Sequence, residues 1–85
     1  MRVVVDPKVE KVFTTFPKFV QSRLLKKINL LERFPLINAD IKKLGDGVYR
    51  MRSGRYRLLF RAKKEKDLIV VYEIDTRGKI SYAKG

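Results

Sequence analysis

The sequence predicts a single α+β domain, in which two antiparallel N-terminal helices pack on a mainly antiparallel sheet of four or five strands. Apolar residues recur with helical spacing up to about residue 33, and from residue 48 onward they alternate with polar ones. With 85 residues the chain can build one modest core but not two, so we assign residues 1–85 to one domain.

The N-terminal half predicts a short strand followed by two helices. The β-branched run of valines at positions 3–5 favours a strand over residues 2–5, and Asp6 followed by Pro7 is a typical helix start. The first helix carries its apolar residues on one face: Val9, Val12, Phe13 and Phe16. The second, predicted over residues 18–33, has an inner stripe of Val20, Leu24, Ile28 and Leu31.

The C-terminal half predicts a run of antiparallel strands. We expect residues 35–47 to cross the molecule as a loop that supplies Lys42 and Lys43. Strands are predicted over residues 48–52, 55–62 and 68–75, and a short last strand over residues 80–82. The charged segment 63–67 forms the turn between the last two long strands.

A tight hairpin is predicted around Ser53 and Gly54, because a two-residue loop with glycine tolerates positive φ. In that register Arg52 lies opposite Arg55, and Arg50 opposite Arg57. One face then faces the helices with Tyr49, Met51, Tyr56, Leu58 and Phe60, and alternation adds Tyr72 to this apolar side. The other face carries Arg50, Arg52, Arg55, Arg57 and Arg61.

This clustering of arginines breaks a local rule, because like charges opposite each other destabilise a sheet. Such violations tend to occur at functional sites. Guanidinium groups suit phosphate, since each planar fork can bind two oxygens and stays charged. The interpretation we favour is therefore a phosphate-rich ligand. The alternative is a solvated basic face neutralised by acids such as Glu73 and Asp75.

The net charge of +12 also predicts a polyanionic or acidic partner, although a thermophile's charged surface is an alternative. The chain has no cysteine or histidine, which excludes Cys-His and Ser-His-Asp catalysis and thiolate metal sites. We expect no cofactor and no metal. No segment reaches the length of a membrane span or a signal peptide's apolar region, so we expect a cytoplasmic location.

Two motifs resemble the RelE/ParE toxin superfamily of toxin–antitoxin systems. The segment VYRMRSGRYRLLF is similar to that family's hairpin YRLRVGDYRVIY, and IDTRGKISY is similar to its ending IDHRGKVY. The opening DPKVEKVFTTFPK fits its N-terminal helix pair, so the resemblance covers nearly the whole chain. It implies the small RelE-like fold of microbial-RNase type.

The RelE branch of the family implies a ribosome-dependent endoribonuclease that cleaves mRNA in the A site and is restrained by a RelB-like acidic antitoxin. The motifs carry its active-site positions onto Arg50, Arg52, Arg57, Arg77 and Tyr82. We expect further RNA contacts from the remaining cations of the same region, Arg55, Arg61, Lys42 and Lys43.

The chain departs from the RelE pattern at several positions. Arginines replace lysines at Arg50 and Arg52, so proton transfer would fall to Tyr82, because arginine effectively stays protonated. Thr76 stands where related endings often have histidine, and Tyr82 follows Arg77 one residue later than in the family motif. Two alternatives therefore stay open: a ParE-like inhibitor of DNA gyrase, and a RelE-fold protein that binds RNA or antitoxin without cleavage.

Overall fold

The structure, a computed structural model, describes the backbone of residues 1–76 and the side chains of residues 1–74. Five strands, two α-helices and two 3-10 turns follow each other along this part of the chain. In chain order they are β1 (Arg2–Val5), α1 (Pro7–Phe13), α2 (Lys18–Leu30), a 3-10 turn (Leu31–Arg33), β2 (Asp40–Gly45), β3 (Val48–Ser53), β4 (Tyr56–Lys63), a 3-10 turn (Lys64–Lys66) and β5 (Leu68–Thr76).

The strands form one five-stranded sheet in the order β1-β5-β4-β3-β2. β1 pairs with β5 in parallel, and every other neighbouring pair is antiparallel. The predicted α+β class, with helices on a mainly antiparallel sheet, is confirmed. The expected strand over residues 80–82 lies outside the described residues.

Both helices begin where the sequence predicts. Asp6 caps α1, and its Oδ1 accepts a hydrogen bond of 2.9 Å from the backbone N–H of Lys8. α1 ends at Phe13, three residues before the last apolar position of its predicted stripe. α2 ends at Leu30 and tightens into the 3-10 turn before Phe34, which precedes a proline and leaves the helical region. No described helix is long and apolar enough to cross a membrane.

The core lies between the helices and one face of the sheet. Val9 of α1 and the predicted inner stripe of α2 are buried against strand residues that include Met51, Leu58 and Phe60. Phe34 extends this core after the 3-10 turn, and its ring lies edge-on to Phe60 at 5.4 Å between centroids. Tyr49 stacks on Phe60 at 5.4 Å, so Tyr49 lies on the helix side as predicted.

The prediction of a loop over residues 35–47 is wrong for its second half, because Asp40–Gly45 forms strand β2 on the edge of the sheet. Ile41 is the one residue of β2 that is not exposed, so the alternation that marks a half-buried strand is missing. Lysines are typical of edge strands, where they discourage pairing with another chain. The β2–β3 turn then uses Gly47 at a φ of +72°.

The predicted hairpin register is also wrong, by two positions. The two-residue loop is Gly54-Arg55, so Ser53 lies opposite Tyr56, Arg52 opposite Arg57, and Arg50 opposite Leu59. Gly54 has a φ of +61° and Arg55 does not have a positive φ, as in a type II′ turn with glycine in the first loop position. A shift of two keeps every side chain on its predicted face.

Candidate nucleic-acid interface

The sheet face that the helices leave open carries a group of cations, which we call the arginine face. Strand alternation and register bring them together from three adjacent strands: Lys42 of β2, Arg50 and Arg52 of β3, and Arg57 and Arg61 of β4. Lys42 lies opposite Arg50, and Arg52 lies opposite Arg57. Sequence reasoning therefore identified the correct face of the hairpin.

Asp40 is the acid nearest to the β3 arginines among the described side chains. Its Oδ1 lies 3.9 Å from Nη2 of Arg50, and its Oδ2 lies 3.8 Å from Nε of Arg52. Both distances are long, and the Asp40 side chain is 58% exposed, so the contacts contribute little to stability. One exposed carboxylate leaves the two guanidinium groups with most of their capacity to bind an anion.

The Arg50 side chain is mostly buried, and its contact with the nearest acid is long. Only 14% of its side chain is exposed, and its buried Nε has no hydrogen-bond acceptor among the described residues. An unsatisfied buried N–H is unfavourable unless something supplies an acceptor. A ligand at this face would instead contact the terminal nitrogens of Arg50, of which Nη2 lies 3.9 Å from Asp40.

Residues of β4 and β5 also lie on the arginine face. Leu59 lies opposite both Arg50 and Glu73, and it is only 8% exposed although it belongs to the face opposite the helices. Arg57 lies between Arg52 on β3 and position 75 of β5 in the sheet register. The two β5 acids named in the sequence alternative therefore occupy positions opposite Leu59 and Arg57 of β4 in the register.

Tyr72 is not a core residue, so its predicted position is wrong. It is the extra residue of a β-bulge, because Leu59 pairs with Glu73 while Phe60 pairs with Val71. The bulge interrupts the alternation on which the prediction depended. The guanidinium carbon of Arg61 lies 4.9 Å from the centroid of the half-buried Tyr72 ring, a cation–π contact that orients Arg61 on the arginine face.

Four of the predicted residues lie elsewhere or are not described. Arg55 is an exposed turn residue at the hairpin tip rather than a strand residue. Lys43 lies opposite Tyr49 and therefore belongs to the helix side of the sheet edge. Arg77 and Tyr82 lie outside the described residues.

Solved structures with this architecture include chains of toxin–antitoxin complexes. A chain of the archaeal RelE–RelB complex from Pyrococcus horikoshii superimposes with a TM-score of 0.80 and 30% identity, over 92% of this chain and 96% of that one. The chain belongs to the RelE toxin superfamily.

Two further solved structures of RelE-type proteins superimpose on this chain. A chain of the RelBE2 toxin–antitoxin complex from Mycobacterium tuberculosis matches with a TM-score of 0.76 and 25% identity, over 89% of this chain and 96% of that one. The isolated Escherichia coli RelE toxin matches with a TM-score of 0.75 and 20% identity, over 98% of this chain and 92% of that one, and shows the shared fold. Since an isolated toxin matches, the shared fold is that of the toxin chain. No protein-family model and no curated protein sequence matches this chain.

Sequence reasoning missed two charged residues of this RelE-superfamily chain. Asp40 was placed in a loop, and only the pairing of β2 with β3 brings it beside Arg50 and Arg52. Arg23 of α2 reaches the hairpin tip, where its Nη1 lies 3.4 Å from the position that a Cβ on residue 54 would occupy. Helical spacing alone gives Arg23 no partner, so the sequence contains no signal for this approach.

Proposed function

We propose that this protein is the toxin of a toxin–antitoxin system and that it cleaves mRNA in the ribosomal A site. The observation that carries the proposal is the arginine face: four arginines and a lysine from adjacent strands, on the side of the sheet opposite the helices. Membership of the RelE toxin superfamily supports the same reading. A cytoplasmic location would follow from a ribosomal target.

The proposed reaction uses the substrate's own 2′-hydroxyl as the nucleophile. Its oxygen attacks the adjacent phosphorus, the bond from phosphorus to the 5′-oxygen breaks, and the products are a 2′,3′-cyclic phosphate and a free 5′-hydroxyl. One proton leaves the 2′-oxygen and one is delivered to the departing 5′-oxygen. The main catalytic need is to stabilise charge on the phosphoryl oxygens, which preorganised guanidinium groups do well.

The arginines divide this work according to their positions. We assign charge stabilisation at the reacting phosphate to Arg57, together with Arg77, and assign Arg50 and Arg52 to holding the adjacent backbone. Tyr82 is the candidate for proton transfer, because its phenol can gain or lose a proton whereas arginine effectively cannot. Lys42 and Arg61 extend the cationic surface on either side of these residues.

The proposed regulatory partner is an acidic, RelB-like antitoxin. The similar chains from Pyrococcus horikoshii and Mycobacterium tuberculosis were both solved in toxin–antitoxin complexes. The net charge of +12 would attract such a partner strongly. An antitoxin segment that covers Arg50 and Arg57 would block RNA and would also relieve repulsion among the arginines.

The test is primer extension on mRNA in programmed ribosomes, with a known interferase as positive control. Wild-type protein is expected to cleave within the A-site codon, and Arg57→Gln is expected to abolish this cleavage. Lys8→Gln is the matched control, because it removes one exposed cation from α1 and is expected to cleave as wild type does. Tyr82→Phe tests the phenol separately.

Two results would contradict the proposal. Absence of wild-type cleavage, when the known interferase cuts, would shift the assignment to a gyrase inhibitor or to a RelE-fold binder without activity. Full activity of Arg57→Gln would show that cleavage does not depend on the arginine face. Supercoiling by DNA gyrase in the presence of the wild-type protein would then separate the two remaining alternatives.

A further inference from the structure

The cationic surface continues around the hairpin tip onto α2. Arg55 occupies the second position of the Gly54-Arg55 loop, and the Nη1 of Arg23 lies 3.4 Å from the position of a Cβ on residue 54. Phe16, at the corner between α1 and α2, contacts Tyr56 with 4.9 Å between ring centroids. Two separate contacts therefore hold the beginning of α2 beside the tip of the arginine hairpin.

Both arginines at the tip are available to a ligand. Arg23 and Arg55 are exposed, and no described acid lies within 4.0 Å of either guanidinium group. α2 contributes no acid of its own, since residues Lys18–Leu30 include four basic side chains and no acidic one. These two cations therefore have no internal counter-ion among the described residues.

An exposed aromatic ring accompanies these cations. Phe19 lies one helical turn before Arg23, and it is 68% exposed. The other aromatic residues among the described side chains are buried or half-buried. Residues four apart on a helix are neighbours on its surface, and helical side chains lean toward the preceding turn, which brings Arg23 toward Phe19. An exposed phenyl ring beside a guanidinium group combines a flat apolar surface with a phosphate-binding group.

We propose that Phe19, Arg23 and Arg55, the tip patch, form a second binding site for single-stranded RNA that is contiguous with the arginine face. Arg23 and Arg55 would bind backbone phosphates, and one base would stack on Phe19. Proteins that hold single strands without reading sequence combine a cationic track with aromatic platforms in this way. The proposal rests on the proposed function, because it extends the path of the same RNA strand.

The charge of the patch favours RNA over an apolar protein partner. An apolar protein surface that buried Phe19 would also cover Arg23 and Arg55 without supplying acceptors, and desolvating unpaired charges is costly. An RNA strand supplies phosphates to the arginines and a base to the ring at the same time. The patch adds affinity for a strand long enough to reach it from the arginine face.

Binding of 2′-O-methyl RNA tests this without cleavage, because the modified oligonucleotide has no nucleophilic hydroxyl. Fluorescence anisotropy with a trimer and a nonamer, between about 50 and 200 mM KCl, compares wild type with Arg23→Gln, Arg55→Gln, Phe19→Leu and Arg57→Gln. Lys8→Gln is the control for loss of one exposed helical cation. Far-ultraviolet circular dichroism of each variant verifies that it is folded.

We expect Arg23→Gln and Arg55→Gln each to weaken nonamer binding severalfold and to reduce the logarithmic salt slope by about 0.7, with trimer binding unchanged. Phe19→Leu keeps an apolar side chain but loses the flat ring. It is expected to weaken nonamer binding by on the order of tenfold without changing the salt slope. Arg57→Gln is expected to weaken the binding of both lengths.

Each contrary result has a distinct meaning. If Arg23→Gln and Arg55→Gln bind the nonamer as Lys8→Gln does, the tip patch is overturned while the proposed function is untouched. If Phe19→Leu binds as wild type does, the ring is not a stacking platform and that part of the proposal fails. If Arg57→Gln leaves both oligonucleotides bound as before, the arginine face is not the RNA site and the proposed function fails.

Discussion

Met51 and Leu58 lie opposite each other on β3 and β4 and are fully buried, whereas Arg52 and Arg57, the next pair along the same strands, lie opposite each other on the open face. The first pair joins the core beneath the helices. The second places like charges together, which destabilises a sheet. A single step along each strand thus separates residues that stabilise the fold from residues that we propose bind a ligand.

The largest effect expected on the stability side of this comparison comes from Phe60→Ala. Phe60 is fully buried between Phe34 and Tyr49, so its loss removes apolar burial and leaves a cavity. We expect the free energy of unfolding to fall by about 3–5 kcal/mol in urea denaturation. Phe19→Ala makes the same change at a site 68% exposed and should alter it by less than about 0.5 kcal/mol. Equal losses would mean that the helix side is not the core.

Arg57→Gln is the corresponding change on the open face. If Arg57 stabilises the developing oxyanion as proposed, Arg57→Gln is expected to lower cleavage about 100- to 1000-fold, while the free energy of unfolding should change by less than about 1 kcal/mol. Single-turnover cleavage on programmed ribosomes and urea denaturation of the same preparation measure the two effects. A variant that lost activity and stability together would show that the two faces are not separable at this position.

Tripolyphosphate should stabilise the folded protein through the open face. A ligand that binds only the folded state at 100 times its Kd raises the free energy of unfolding by about 2.7 kcal/mol. The rise in Tm is expected to shrink in an Arg50→Gln/Arg57→Gln double variant and to persist in Lys8→Gln. No rise in the wild type would indicate that the arginines are already neutralised within the chain.

Gly54→Ala should destabilise the Gly54-Arg55 turn, which sets the register between β3 and β4. Its φ of +61° is strained for any residue with a Cβ, at a cost of about 1–2 kcal/mol. Gly45→Ala is the matched control, because a Cβ there meets no atom within 4 Å and its φ is outside the strained range. Similar urea midpoints for the two variants would argue against the assigned turn.

Arg52→Gln has the smallest expected effect. It removes repulsion with Arg57 and loses only a long contact to the exposed Asp40, so the free energy of unfolding should rise by about 0.2–1 kcal/mol. Arg2→Gln makes the same charge change opposite Leu68, where no like charge is relieved, and should leave the urea midpoint unchanged. A clear destabilisation by Arg52→Gln would mean that its ion pair outweighs the repulsion.

The sequence predicts those parts of the fold that depend on local periodicity. Helical spacing identified Val20, Leu24 and Ile28 as buried, and alternation assigned Met51 and Leu58 to the covered face. The face assignment survived the wrong register because the shift was an even number of residues. The hairpin motif that resembles the RelE/ParE superfamily consists of these same alternating residues.

Features set by tertiary contact could not be predicted. β2 has a single inward residue, Ile41, so its strand character depends on pairing with β3. The β-bulge that brings Tyr72 to Arg61 arises from the pairing of β4 with β5, so the sequence of neither strand predicts it alone. Arg23 reaches the hairpin tip only because α2 packs across the sheet. Hydrophobic periodicity does not identify such residues, although they lie around the candidate site.

The parallel pairing of β1 with β5 also has a consequence for biosynthesis. Arg2 lies opposite Leu68, so β1, which is synthesised before β5, has no partner in the sheet until β5 has been made. Contacts this distant in sequence form late and slow folding. The valine-rich β1 therefore lacks the strand it pairs with while β2, β3 and β4 emerge, so its addition to the edge of the sheet is a late step of folding.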